Sequence, residues 1–284
     1  MNINRTFKTT GELLETIGKL PNDKTRASTG NSASHGWDLD CGFKNAVKYA
    51  SEGWAEGLEA ITRARKALGD IVKPKSTQQD FILREDGGSF IEVGAYCSGE
   101  PECFGDFTSP DRQTKPIRII VNISASAFVS ADSIRRRGAV IVAAIDVLEE
   151  RGFMVEVLVC EAVTHGKDRR FGWRVLVKET GQNLDLDRLA FWLTHPAALR
   201  RLGFAVCELE DKRTREQFGF VIYGGYGIPA EVQLTDDDLA GDHIYFPSRG
   251  IGSYSSDDEA LRIIRNLLID KGFLLEADLE EKRI

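Results

Sequence analysis

Residues 117–123 read Ile-Arg-Ile-Ile-Val-Asn-Ile, a nearly continuous apolar run. A strand of that kind has no wet face and lies inside a sheet covered on both sides, as in parallel α/β folds. The elements after it complete that picture. Ser130–Arg151 has helical periodicity, with Ile134, Ile141, Ile145 and Leu148 on its inner stripe and Gly152 closing it. Phe153–Cys160 and Phe171–Lys178 read as two further strands, close enough across the turn-rich Val163–Arg170 for a direct hairpin.

Asp185–Leu202 is helical by period but contains Pro196, which predicts two short helices meeting at His195-Pro196. Phe218–Tyr223 and His243–Phe246 read as short strands, each followed by a glycine-bearing turn. The last helix starts at Ser256, with Glu259 completing a capping box, Asp257 and Asp258 in its positive first turn, and Gly272 at its end. This order predicts an α/β fold: a mostly parallel central sheet with one antiparallel edge strand and helices on both faces.

Residues 1–115 read as a helical and hairpin region packed on the main domain, residues 116–284. Ser28–Ser34 is polar and predicts an exposed loop. Phe43, Val47, Ala50, Trp54, Leu58, Ile61 and Leu68 fall on one face of a long amphipathic helix. Gly53 and Gly57 inside it each cost about 1 kcal/mol of helix propensity, so close packing of another element is expected there. Phe81–Arg84 and Phe90–Tyr96 flank Glu85-Asp86-Gly87-Gly88 and predict a hairpin. Cys97–Phe104 is turn-rich, and Ser109–Lys115 reads as a connector.

With 284 residues, 42% of them hydrophobic, the chain can bury a full core in one large or two small domains. There is no basic start followed by an apolar run, and no stretch nears the ~20 apolar residues of a membrane span. A cytoplasmic protein is expected, without a membrane partner. Five cysteines (Cys41, Cys97, Cys103, Cys160 and Cys207) without metal-type spacing predict reduced thiols. A net charge of −7 repels polyanions, so nucleic-acid binding would need a local basic patch.

From Pro116 the chain resembles a von Willebrand factor A domain. Those domains begin with a buried strand ending in Asp-x-Ser-x-Ser, then a helix, then a hairpin; here Asn122-Ile123-Ser124-Ala125-Ser126 holds that place. The resemblance covers roughly residues 116–284. It implies a magnesium ion held by the strand-end residues and bridging to an acidic partner. Ser124 and Ser126 match the two hydroxyls, but Asn122 replaces the aspartate and brings dipole without charge. The family's further ligands have only Thr180 and Thr194 as positional matches. The same Asn122, Ser124 and Ser126 also read as turn residues that satisfy backbone groups and cap the next helix. In the N-terminal part, His35-Gly36-Trp37-Asp38, Gly53-Trp54-Ala55-Glu56-Gly57 and Pro101-Glu102-Cys103-Phe104 are similar to motifs of uncharacterised bacteriophage and prophage proteins. That similarity implies a phage origin.

Ligands of open α/β sheets bind beyond the carboxyl ends of the parallel strands. The topology sends Arg135, Arg136, Arg137, Lys167, Arg169, Arg170 and Arg249 toward that edge, offset by Asp132 and Asp168. An anion-friendly rim is the functional expectation, with Tyr226 or Tyr254 as a stacking face. Three consecutive arginines also spread around a helix and are commonly just solvated. Trp54, Trp173 and Trp192 fit core positions, His195 a packed helix break, and Trp37 a contact residue. Asp236-Asp237-Asp238 reads as a solvated loop. Gly224-Gly225-Tyr226-Gly227 lacks the lysine and hydroxyl of a phosphate-binding loop.

The expected function is a non-enzymatic binding or adaptor protein that recognises an acidic protein partner at this edge and uses no cofactor. The alternatives are a nucleic-acid-binding accessory factor in phage transcription or replication, and a metal-dependent enzyme.

Overall fold

The computed structural model describes residues 1–21, 26–30, 38–69, 80–85, 90–108, 115–220, 225–248 and 250–274. The chain divides into two compact units, residues 1–73 with 116–284, and residues 74–115. Residues 1–73 thus belong to the larger unit together with the chain from Pro116.

The larger unit opens with β1 (Asn2–Phe7), α1 (Thr10–Ile17), α2 (Gly42–Glu52) and α3 (Leu58–Gly69). The smaller unit carries β2 (Asp80–Arg84), β3 (Phe90–Ile91), α4 (Val93–Cys97) and β4 (Phe104–Thr108). The larger unit resumes with β5 (Pro116–Asn122), α5 (Ala131–Glu150), β6 (Met154–His165) and β7 (Arg169–Lys178). There follow α6 (Leu186–Thr194), a π-helix (Ala198–Gly203), α7 (Phe204–Glu208) and α8 (Lys212–Phe218). β8 (Ile228–Pro229), β9 (Asp242–Phe246) and α9 (Asp257–Asp270) complete it. No helix among the described residues is long and apolar enough to cross a membrane.

The larger unit is an α/β fold with a mostly parallel central sheet in the order β1-β7-β6-β5-β9. β5 pairs in parallel with β6 and β9, and β7 returns antiparallel to β6 as the hairpin predicts. The antiparallel strand lies one place in from the border rather than on it, because β1 pairs in parallel with β7 outside it. Helices pack against this sheet. Their inward residues join Ile117, Ile119, Val121, Val157, Val159, Trp173 and Val175 in one apolar cluster. Arg118, Glu156 and Arg174 alternate with these residues along their strands and point to the other face. Arg118 pairs there with Glu156 and Asp237, and Arg174 with Asp238. Asp236 and Asp237 are exposed, but Asp238 is buried in that pairing rather than solvated.

Local sequence sets most element ends. Ser130 caps α5 by accepting from Ser133 N, and Gly152 leaves it with φ 91°. Ser256 caps α9 by accepting from Glu259 N, while the Glu259 carboxylate turns to Arg262 instead of closing the box. The long helix expected over Phe43–Leu68 is broken. Gly53 adopts φ 96°, and α2 ends there before a 3-10 turn, Ala55–Gly57, leads into α3. A Cβ on Gly53 would overlap Asp187 at the start of α6, so close packing accounts for this glycine as expected.

Two further expectations are corrected. Ser28 is fully buried rather than exposed, bonded to Glu208; residues 31–34 lie outside the described residues. Phe218 ends α8 and Phe220 is buried without joining a strand; residues 221–223 lie outside the described residues.

In the smaller unit, β2 and β3 do not form the expected hairpin. Each pairs antiparallel with β4, giving the order β2-β4-β3, and Val93–Cys97 is helical, capped by Glu92. The Asp86-Gly87-Gly88 turn lies outside the described residues. All five cysteines are free; Cys97 is exposed and the other four are buried.

Gly138 on α5 sets the closest helix approach. A Cβ there would collide with the Leu193 carbonyl and the Thr194 Cα of α6. Gly138→Ala should therefore cost about 1–3 kcal/mol of overpacking strain. Chemical denaturation would measure it; a change below about 0.5 kcal/mol, the size usual at surface sites, contradicts this crossing.

Candidate functional site

β5 ends at Asn122, and its chain then peels away from β6. β8 takes the vacated place, pairing antiparallel with Val163 and Thr164. The split leaves backbone groups of β6 without a ladder partner, and side chains of the 122–126 segment replace it. Ala162 N donates to Ser124 Oγ at 2.8 Å, and Ala162 O accepts from Ser124 Oγ at 2.9 Å and from Ala230 N at 2.9 Å. Asn122 is fully buried. Its Oδ1 accepts from Ser124 N and Oγ, and its Nδ2 donates to Ala230 O and to the Tyr245 hydroxyl.

Those contacts decide the metal reading. Asn122 and Ser124 use their polar atoms to stitch the split, and Asn122 brings no anionic oxygen for a hard cation. Ser126 accepts a long bond from Phe128 N, while the helix cap falls to Ser130. Thr194 donates to Ala190 O within α6, and Thr180 lies just beyond the end of β7 that sits beside the start of β6, at the opposite border. Among the described residues no group of three or more His, Cys, Asp or Glu side chains is placed to hold a metal ion. The residues present do not fit a magnesium site.

The expected basic rim is not one surface. Arg137 is buried and donates to Phe246 O and Pro247 O, with burial lowering its pKa. Arg136 pairs with Asp257 at 2.9 Å and donates to Tyr254 O. Arg135 is half-buried, with Asp132 at 3.9 Å. Arg136 and Arg137 look toward the β9 and α9 side, whereas Arg135 acts on His195 at the end of α6. Lys167 and Arg169 are exposed at the β6–β7 turn, where Arg169 donates to Gln217 O, and Arg170 is half-buried. Arg249, His35 and Trp37 lie outside the described residues.

Tyr226 and Tyr254 are buried and offer no stacking face. The Tyr226 ring lies flat on Phe204 at 4.1 Å, and its hydroxyl donates to Glu208. Trp54, Trp173 and Trp192 are buried, and His195 packs edge-on against Trp54 at 4.5 Å.

The split does create a cleft, with a volume of about 480 Å³. One wall is Ser124–Ala127, and another is Gly225–Pro229. The rest comes from Ala27, Glu161 and Val163, and from Leu199, Arg200 and Phe204 around the π-helix. Exposed apolar groups flank its mouth: Ile228 on the wall is 68% exposed, and Phe128, next to Ala127, is 99% exposed. An internal network holds Ala27 in place. Arg201, one residue after Arg200, donates to the carbonyls of Ala27, Ser28 and Gly30 and pairs with Asp38.

Glu161 is the chemically unusual group. It is 1% exposed, and Trp173 Nε1 donates to its Oε2 at 2.5 Å. Gly203 of the π-helix packs so closely that a Cβ would overlap the same oxygen. Burial pushes its pKa up to about 8, against which the Trp173 bond works weakly. A raised carboxyl facing a cleft at a sheet edge is a recognised mark of a functional group, and π-helical turns also recur at such sites. Its signal in the sequence is slight: one charge inside the apolar strand Val157–Val163.

No curated protein and no solved structure matches the chain. A family model described as a domain of unknown function (DUF7192) matches residues 2–271, nearly the whole chain. The chain therefore belongs to the DUF7192 family.

Proposed function

We propose that this chain is a non-enzymatic binding protein whose ligand enters the cleft at the carboxyl end of β5. The observation that carries the reading is the cleft itself. Its 480 Å³ falls inside the roughly 300–1,000 Å³ of small-molecule sites, and its walls are apolar with few polar groups. Its place also agrees with the rule that ligands of open α/β sheets sit beyond the strand ends. Among the described lining residues, Glu161 faces no second acid–base side chain, so binding is the chemistry that the cleft supports best. The reading keeps the edge implied by the von Willebrand factor A resemblance and drops the magnesium. It also drops the arginine rim as contact surface. The nucleic-acid alternative loses its stacking platform with Tyr226 turned inward.

Ala127→Trp tests it, because Ala127 is exposed on the cleft wall and a large ring there fills space without disturbing the core. The fluorescent apolar probe anilinonaphthalene sulfonate should bind the native chain saturably. In the variant its affinity should fall at least about tenfold, a loss of ~1.4 kcal/mol, with the circular dichroism spectrum unchanged. Equal binding by both proteins contradicts the cleft as ligand site.

A further inference from the structure

We infer that the smaller unit docks a basic amphipathic helix of a partner protein on the exposed face of α4 that carries Val93 and Tyr96. The cleft of the larger unit plays no part in it. Val93 is 67% exposed and Tyr96 61%, and Ile91, just before the helix, is 48% exposed. Val93 and Tyr96 stand three residues apart on α4, so they are neighbours on one side of it, with Cβ atoms about 5–6 Å apart. Ala95 carries the buried side of the same helix. The result is a short apolar ridge open to solvent, and apolar surface gathered within polar surroundings marks an interaction site.

The chemistry of the partner follows from the charge around that ridge. Glu92 N donates to Cys103 O at 2.8 Å and Glu100 N to Ala95 O at 3.0 Å, which closes residues 92–103 into one loop around α4. Glu92 therefore stands at one end of the ridge and Glu100 at the other, while Glu102 returns beside the first. Glu100 and Glu102 are exposed. From Glu85 to Asp111 the sequence holds seven Asp or Glu and no Lys, Arg or His, so no cation of the segment neutralises them. Such a rim repels nucleic acid and anionic membranes and attracts Lys or Arg. The open Tyr96 ring offers one of those cations an aromatic face as well.

A helical ridge packs into the groove between side-chain rows of another helix, so an amphipathic helix is the shape that covers it. Its apolar stripe meets Val93 and Tyr96, and Lys or Arg on its flanks reach the Glu rim. A second copy of the chain would bring the same carboxylates and is disfavoured. Affinity comes mainly from the ridge, because an exposed ion pair contributes little whereas an anchoring aromatic dominates an interface. The rim supplies the choice of partner.

Fluorescence anisotropy with the full chain and labelled peptides of about 15 residues tests this. One peptide is a helix with a Leu stripe flanked by Lys, a second replaces each Lys by Glu, and a third arranges the Leu and Lys in strand-like alternation. The Lys helix should bind at least ~10-fold tighter than the other two. Val93→Ser with Tyr96→Ser, which keeps the net charge, should weaken it at least ~10-fold. Glu100→Gln with Glu102→Gln should weaken it about 3-fold and flatten its salt dependence. Equal binding of the Lys and Glu helices overturns the basic partner, and equal binding of the alternating peptide overturns the helix. Lys-helix binding that survives the serine pair, or that Ala127→Trp weakens instead, overturns the face. Self-association of the chain that the serine pair abolishes would give the face to a second copy and overturn the partner too. All four substituted side chains on this unit are exposed, so the fold should hold, and the wild-type peptide series decides the matter without them.

Discussion

Unfolding free energy should stay level between about pH 4.5 and 6.5, then fall by about 1 kcal/mol by pH 8. Two buried groups with opposite shifts produce that shape. Folded Glu161 keeps its proton up to about pH 8, whereas the unfolded chain releases it near 4.5. Raising pH through that window therefore favours the unfolded chain. His195 behaves in reverse. Burial lowers its pKa to about 4, so between 4 and 6.5 the unfolded chain holds a proton that the folded chain refuses. Raising pH there favours the folded chain. Each group contributes a one-proton slope of about 1.4 kcal/mol per pH unit, so the two cancel until His195 stops titrating in the unfolded state.

The other shifted groups act outside this window. Asp211, Asp238 and Glu259 have lowered values and matter at lower pH, while the buried cysteines and tyrosines matter at higher pH. Glu161→Gln removes the falling slope. Its stability should rise by about 2 kcal/mol from pH 4.5 to 6.5 and then stay nearly level to pH 8. His195→Asn should leave the falling slope alone across the whole window. Urea titrations at a series of pH values read these profiles directly. A Gln variant whose profile overlays the wild type would show that Glu161 titrates as it would in water.

The sequence exposed some of this architecture because the signals were local. β5 was legible from an apolar run with no wet side, and α5 and α9 from a serine before each helix and a glycine after it. β1 was hidden, since its residues are mostly exposed and its partner β7 lies far along the chain. The β2–β3 hairpin failed for a related reason: both strands preferred β4, beyond a helix that interrupts the second run.

The site was hidden differently. Three consecutive arginines stood out as a patch, yet successive residues on a helix point about 100° apart, so α5 sends them to different partners. Glu161, Trp173, Arg200 and Gly203 sit on three separate elements, and only the folded chain brings them together. Asn122 and Ser124 matched a metal motif because ligating a cation and replacing lost ladder bonds call for the same small polar residues.

Arg201→Met should destabilise the chain by about 3–5 kcal/mol and weaken ligand binding beyond what the lost stability explains. Arg201 is 1% exposed and Asp38 0%, with Nε to Oδ2 at 2.5 Å. Methionine keeps the apolar stem but leaves a buried carboxylate and three carbonyls, those of Ala27, Ser28 and Gly30, without their donor. Asp38 Oδ1 already lacks a hydrogen-bond partner, so the Gly42 N–H and the charge of nearby Arg200 are what remain to offset the carboxylate. Replacing both members separates the two contributions. Asp38→Leu with Arg201→Met removes the orphaned charge, and most of the 3–5 kcal/mol should return, as when apolar side chains replace a buried pair. The three carbonyls stay unpaired in the double variant, so the 26–30 segment should remain loose and the Ala27 wall of the cleft unformed. Guanidinium titrations should then report recovered stability, while anilinonaphthalene sulfonate binding stays weak. A double variant that recovers both would mean that the segment holds its place without Arg201, through the bonds of Arg26, Ala27 and Ser28 to Glu208 and Tyr226.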